Sequence, residues 1–429
     1  MLSPTLFPYA PANVCRLWRD LLAIEPAFWT RIIIVLDSPS TTPDLVRSYF
    51  ERTRDEPIHV WITRADNKSA TPSDPGENDR IKTVMRCLRP HLARCVSLSF
   101  NLLYRSSAVI AGDRLRGYVP RLRILALNSR VTDSTAPIAH LLLDAPELHM
   151  LELDAHSFAH FAARKLAMVW LHRPRASSAQ LQLRLTRYQP AATSSLQMSD
   201  VVRALEHMPD IELLSIRDVA FASPADVDFV DREIHTLHLE ELRGSAASMF
   251  FRCLASHASR TTVVRCDLDG EWDSAPVEGR WLRLVGLADA AGLARAMRGW
   301  SGSRLHADEC PGFTDAVVSA MAEHPAGEVE WVSIDNTNSA SPPLSFDVLK
   351  SAVNAWTASL LPHGYLTLYV QQPGNLPDAA LCRWFDDRVG DFSWKNDGVT
   401  FDSVVPDVPH PVDYYGCAHL GRNVSPHMY

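Results

Sequence analysis

Residues 119–127 read VPRLRILAL and residues 145–153 read APELHMLEL. Each sets Val-Pro or Ala-Pro ahead of a Leu-x-x-Leu-x-Leu segment, Leu122, Leu125 and Leu127 in the first, Leu148, Leu151 and Leu153 in the second. Side chains alternate across an extended chain, so the last two leucines of each copy share one side and Ala126 and Glu152 face the other. Working outward, short segments of this kind recur at VSLSF (from 96), AQLQLRL (179), IELLSIRD (211), EIHTLHLEEL (233), TTVVRCDLD (261), RWLRLVGL (280), EVEWVSID (328) and YLTLYVQ (365). Most stand roughly 20 to 35 residues apart, the range of stacked repeats.

Between the segments lie stretches with apolar residues at helical spacing: PIAHLLLDAP, FAHFAARKLAMVWL, SDVVRALEHM, AASMFFRCLASHA, AGLARAMRGW, TDAVVSAMAEH and FDVLKSAVNAWTASLL. Neither a lone strand nor a lone helix of this composition buries its apolar side. Stacked units do, with strands in a parallel sheet inside and helices outside. The expected fold is therefore α/β, an irregular solenoid over residues 58–405. It is preceded by a short helical unit over 1–57 and followed by an irregular Pro-, Gly- and His-bearing segment over 406–429. The alternative is an open α/β sheet with right-handed crossovers, whose glycine-rich phosphate turn is not found here. The polar tracts DNKSATPSDPGEND (66–79) and NTNSASPP (336–343) read as exposed loops, and Glu77 to Arg94 as a helix disturbed by Pro90.

Composition narrows the function classes. The 429 residues are 46% hydrophobic and 21% charged, with material for a large core. A net charge of -8 opposes binding to a nucleic-acid backbone, and no apolar run reaches the roughly 18 residues that would span a bilayer. The eight cysteines are scattered and form no C-x-x-C pair, so a disulfide scaffold or zinc ribbon is not indicated. These features point to an intracellular protein.

A search for chemistry returns little. Phosphate-loop, dinucleotide, H-E-x-x-H and nucleophile-elbow motifs are not found. Gly299-Trp300-Ser301-Gly302 approaches the last of these and reads as a sharp turn. Cys87, His91 and Cys95 stand at i, i+4 and i+8, which a continuous helix would line up, but a fourth zinc ligand is unassigned and Pro90 interrupts the helix. His306, Asp308, Glu309 and Cys310 read as a solvated loop after a strand, and Asp386 and Asp387 as an exposed edge. No catalytic residue, metal or cofactor is assigned; the expectation is a binding protein, not an enzyme. Its binding residues would project from the open face of the sheet, among them Glu152, Asp154, Arg217, His238, Glu240, Glu330 and Asp335.

The N-terminal stretch VCRLWRDLLAIEPAFW (14–29) places Val14, Leu17, Trp18, Leu21 and Leu22 at the spacing of one helical stripe, stopped by Pro26 and followed by RIIIVL. The order Val-Cys-Arg-x-Trp-Arg, Pro-x-x-Trp, then isoleucines resembles the back half of an F-box as written in many fungal F-box proteins. LVRSYFERTRDEPIHVWIT (45–63) resembles the helix and strand that follow it there. The residues before Val14, MLSPTLFPYAPAN, do not carry the Leu-Pro and helix that open the motif. The repeat segments resemble irregular leucine-rich repeats of the kind found behind an F-box, without the asparagine ladder of regular ones.

The resemblance implies a substrate receptor. Val14, Cys15, Leu17, Trp18, Leu21, Pro26 and Trp29 would form or support a face that docks a Skp-type adaptor of an SCF ubiquitin ligase, with Trp18 and Trp29 the most structural of the set. The concave repeat face would hold an unidentified target protein, and catalysis would be supplied in trans by proximity. The alternative is a repeat scaffold for protein–protein interaction with no ubiquitin role. Only five of the 42 basic residues are lysine (Lys68, Lys82, Lys165, Lys350, Lys395), which reads as nucleotide bias and would also limit self-modification in a ligase.

Overall fold

Fifteen segments pair side by side, in chain order, into one sheet in the computed structural model. The structure describes residues 14–39, 41–65, 73–139, 141–163, 180–191, 196–208, 210–222, 230–256, 258–270, 272, 277–323, 329–337, 343–360, 365–373, 376–396 and 399–402. The strands are β1 (Arg31–Val35), β2 (Ile58–Thr63), β3 (Cys95–Tyr104), β4 (Ile124–Val131), β5 (Met150–Asp154), β6 (Leu181–Thr186), β7 (Ile211–Arg217) and β8 (Ile234–Glu240). They continue as β9 (Arg260–Val264), β10 (Trp281–Val285), β11 (Arg304–Asp308), β12 (Trp331–Asp335), β13 (Thr367–Gln371), β14 (Asp391–Asn396) and β15 (Val399–Asp402). The first fourteen run parallel, and β15 turns back antiparallel on β14.

Helices fill most of the connections: α1 (Arg16–Ile24) before the sheet, then α2 (Pro43–Arg52), α3 (Glu77–Leu88), α4 (Arg105–Arg114), α5 (Ala155–Ala163), α6 (Met198–Glu206), α7 (Ala246–Cys253), α8 (Ala290–Met297), α9 (Asp315–Glu323), α10 (Phe346–Ser359) and α11 (Ala379–Asp386). Several begin where a side chain takes up a free backbone N–H. Thr42 caps α2, Asp289 caps α8, Ser345 caps α10 and Asp378 caps α11. Neighbouring helices pack on one another, α2 on α3, α3 on α4, α5 on α6, α6 on α7, α8 on α9 and α9 on α10. The result is a mixed α/β, solenoid-like array with helices outside a parallel sheet.

The alternation read from sequence decides the core. In β6, Leu181, Leu183 and Leu185 are buried while Gln182, Arg184 and Thr186 are partly open; β10 does the same with Leu282 and Leu284. A second device repeats at the strand ends. Asp218, Glu241, Arg265, Gly286 and Glu309 follow β7 to β11 and take φ of 53°, 56°, 48°, 63° and 48°. Each donates its N–H to the last carbonyl of the following strand, at 2.6–3.0 Å. Four of the five are not glycine, a left-handed conformation that costs about 1 kcal/mol per residue and persists because its neighbours repeat it. The next residue, Val219, Leu242, Cys266, Leu287 or Cys310, is buried under each turn. Asparagine holds none of these five places.

The sheet also differs from expectation. It begins at Arg31, not at 58, because β1 pairs with β2 in full register, so α2 is already an outer helix of the array. His306 and Asp308, read as part of a loop after a strand, lie within the strand RLHAD (β11), and the hairpin β14–β15 adds two strands. The described residues of PIAHLLLDAP are not helical: Leu142–Asp144 pairs with Arg116–Tyr118 in a separate short ladder. The second half of FAHFAARKLAMVWL, the centres of both polar tracts and the segment 406–429 lie outside the described residues. Among the described residues, no helix is long and apolar enough to cross a membrane.

Candidate functional site

Two surfaces stand out, one at each level of the fold. The first is α1. It runs from Cys15 as N-cap, without a side-chain capping bond, and ends where Pro26 opens a 3-10 turn, Pro26–Trp29. Two residues tie it down: Leu22 is 4% exposed and Trp29 2% exposed, and the Trp29 indole N–H donates to the Leu22 carbonyl at 2.7 Å. The Arg52 guanidinium of α2 lies 4.5 Å over the Trp29 ring. The rest of the stripe faces away from the core. Val14 is 72% exposed, Leu17 67%, Trp18 51% and Leu21 52%, and Ile24 and Phe28 extend the same apolar face. Cys15 is exposed as well, and Pro26 is partly so. Of the residues read from sequence, Trp29 is structural, while Trp18 is on the surface and does not support the local core.

The second surface is the open face of the sheet, opposite the helices. Strand pairing fixes three rows across it. The middle row runs Glu152, Arg184, Ser215, His238, Thr262, Arg283, His306, Ser333 and Tyr369. The row nearer the strand ends carries Arg217, Glu240, Val264, Val285, Asp308 and Asp335. Three of the expected target-binding residues therefore meet. Glu240 lies beside Arg217 (3.4 Å) and His238 (3.5 Å), and Arg265 closes on its other oxygen at 2.7 Å while also reaching Glu241 at 2.9 Å. The hydrogen bond from His238, together with Arg217 and Arg265, holds the Glu240 carboxyl below its ordinary range despite its burial. Asp335 caps the chain beyond β12 by accepting from the Thr337 hydroxyl at 2.6 Å. Glu330 stands just before that strand, 3.6 Å from Arg304.

Glu152 and Asp154 part company. Glu152 is on the open face, where burial pushes its carboxyl up against the hydrogen bond from Asn128 (2.9 Å) and the nearby Arg184 and Arg217. Asp154 is not on that face. It is 3% exposed and pairs at 2.9 Å with Arg105, itself fully buried. Arg105 also donates to the carbonyls of Ser134 and Ala136 (2.7 Å each) and to the Ser157 hydroxyl (3.0 Å). The pair ties the starts of α4 and α5 together, a structural role that strand alternation alone did not reveal.

The other polar motifs resolve into packing. α3 passes into a 3-10 turn at Arg89, so Cys87, His91 and Cys95 do not form one face: the His91 ring stacks on Phe50 at 4.9 Å, and burial in β3 pushes the Cys95 thiol up to about 12. The Trp300 indole donates to the Gly279 carbonyl, and a Cβ at Gly302 would collide with that oxygen, so the 299–302 turn is tight for packing reasons. His306 and Asp308 are on β11, while Cys310 is buried, its thiol pushed up to about 11 by desolvation and its N–H held by Asn336. Asp386 and Asp387 are exposed at the end of α11.

Sequence reading missed the row at the strand starts: Arg260, Trp281, Arg304 and Trp331 are direct neighbours on four adjacent strands. Each tryptophan opens its strand in the sequence, RWLRL and EWVSI, but only pairing puts them in one line.

Set against known proteins, the chain matches no family model, no curated protein and no solved structure.

Proposed function

We propose that the chain is an F-box-like substrate receptor. The apolar face of α1 docks a Skp-type adaptor of an SCF ubiquitin ligase, and the open face of a leucine-rich-repeat-like array holds a target protein. The observation that carries this reading is the outward stripe of Leu17, Trp18 and Leu21 on α1, continued by Val14 just before its N-cap, while Leu22 of the helix and Trp29 of the following turn are buried in the local core. Burying each such side chain contributes about 1.5–3 kcal/mol, so a partner is the favourable destination for them. Nothing in this role asks the chain to perform chemistry; it supplies proximity.

The test is co-expression with the host's Skp-type adaptor followed by size-exclusion chromatography, beside Trp18→Ala and Leu21→Asp variants. Co-elution that both folded variants lose supports the receptor. Separate elution of two folded proteins contradicts it and leaves the scaffold without a ubiquitin role.

A further inference from the structure

The row Arg260, Trp281, Arg304, Trp331 alternates cation and indole across β9 to β12 at the start of the strands. Strand alternation turns all four toward the open face: Leu282, Leu305 and Val332, one residue on, are buried, whereas Trp281 and Trp331 are partly exposed and Arg304 is exposed. The Arg260 guanidinium sits 4.8 Å over the Trp281 ring, which fixes that indole against the sheet. Adjacent strands lie about 4.8 Å apart, so the two indoles recur at about 9.6 Å.

We propose that this edge recognises a proline-rich, acidic segment in the polyproline II conformation. Such a helix rises about 3.1 Å per residue with three residues per turn and presents the same side every ~9.3 Å. Laid across the strands, it keeps step with the indoles, one proline on each. An extended strand repeats on one side every ~6.8 Å and an α-helix every ~5.4 Å, and neither stays in phase. Aromatic platforms take prolines because the ring is preorganised and flat.

The charge selects an acidic segment. Arg304 lies between the indoles, opposite the residues between prolines, with Arg260 at one end and the exposed Arg280 just outside the row. Glu330 reaches Arg304 at 3.6 Å, but both side chains are half-exposed and the pair is open to exchange with a ligand carboxylate. The proposal rests on the open face being the binding face and does not need α1 to dock an adaptor.

The experiment titrates the full chain into a fluorescein-labelled peptide of four Pro-Asp-Val repeats and reads anisotropy, with Ala-Asp-Val and Pro-Arg-Val peptides in parallel. Saturable binding to the first alone is expected. It weakens about tenfold or more in Trp331→Ala, and likewise in Arg304→Glu, an exposed position whose replacement leaves packing intact. Trp384→Ala, on α11 away from the row, binds as the parent. Equal binding of the proline and alanine peptides, no saturation, or a folded Arg304→Glu chain that binds unchanged would each overturn the proposal. Adaptor co-elution is unaffected by all of these variants, so failure here is distinct from failure of the receptor reading.

Discussion

Helices α1 and α6 carry the same pattern to opposite ends. In α6, Met198, Val201, Val202 and Leu205 stand at i, i+3, i+4 and i+7, and every one is buried. At the N-terminus, Val14, Leu17, Trp18 and Leu21 keep the same spacing, and every one is exposed. The difference lies in what each helix packs against. α6 sits between α5 and α7 over the sheet, whereas α1 precedes the first strand and is tied at Leu22 to the Trp29 indole. Amphipathic periodicity records that a face needs covering, and the fold decides whether the chain or a partner covers it.

The comparison breaks most sharply in α6. Val201→Asp sets a charge in a closed core, and a loss of more than about 4 kcal/mol is expected, read as failure to fold or collapse of the urea midpoint. Next comes the buried Arg105–Asp154 pair. Arg105→Ala leaves the buried Asp154 carboxylate without its cation, still accepting from the Ser157 N–H at 2.9 Å, and should cost about 3–5 kcal/mol in chemical denaturation. A cost below 1 kcal/mol would mean that water reaches Asp154 and that the pair is not the tie described.

The smallest effects belong to the open face, where two carboxylates differ in sign. The Glu240 pKa is depressed, so its stabilisation is present above the ordinary carboxylate range and lost as pH falls through its lower folded value. Glu240→Gln should therefore lower stability at neutral pH by less than about 1 kcal/mol, because its partners are half-exposed, and should change nothing in acid. The Glu152 pKa is raised, so stability falls as pH rises from its ordinary range through the higher folded value. Glu152→Gln should leave stability equal or slightly higher at neutral pH. Thermal unfolding across pH 3 to 8 checks both signs, and opposite slopes are the signature.

Much of the array was legible in the chain. Segments such as RLRILAL and LHMLEL announce themselves because leucine fills the inward places and polar residues the outward ones. RLHAD hid because only Leu305 and Ala307 mark its inward side, and His306 and Asp308 on the open face resemble a loop. PIAHLLLDAP misled because its aliphatic run satisfies helical spacing, yet the Leu142 N–H goes to the Leu115 carbonyl in a short ladder. Asp154 carries the right strand parity for the open face, but the start of α5 and Arg105 draw it inward. The Arg–Trp row could not be read at all, since its members are 21 to 27 residues apart and only strand register aligns them.

The most direct test of the central claim is the urea unfolding of Leu21→Asp beside the parent chain. If the α1 stripe is surplus to folding and kept for a partner, the midpoint and slope stay within experimental error, a change of less than about 0.5 kcal/mol. A loss above about 1.5 kcal/mol would show that the chain itself covers Leu21, and the stripe would then be core rather than docking face.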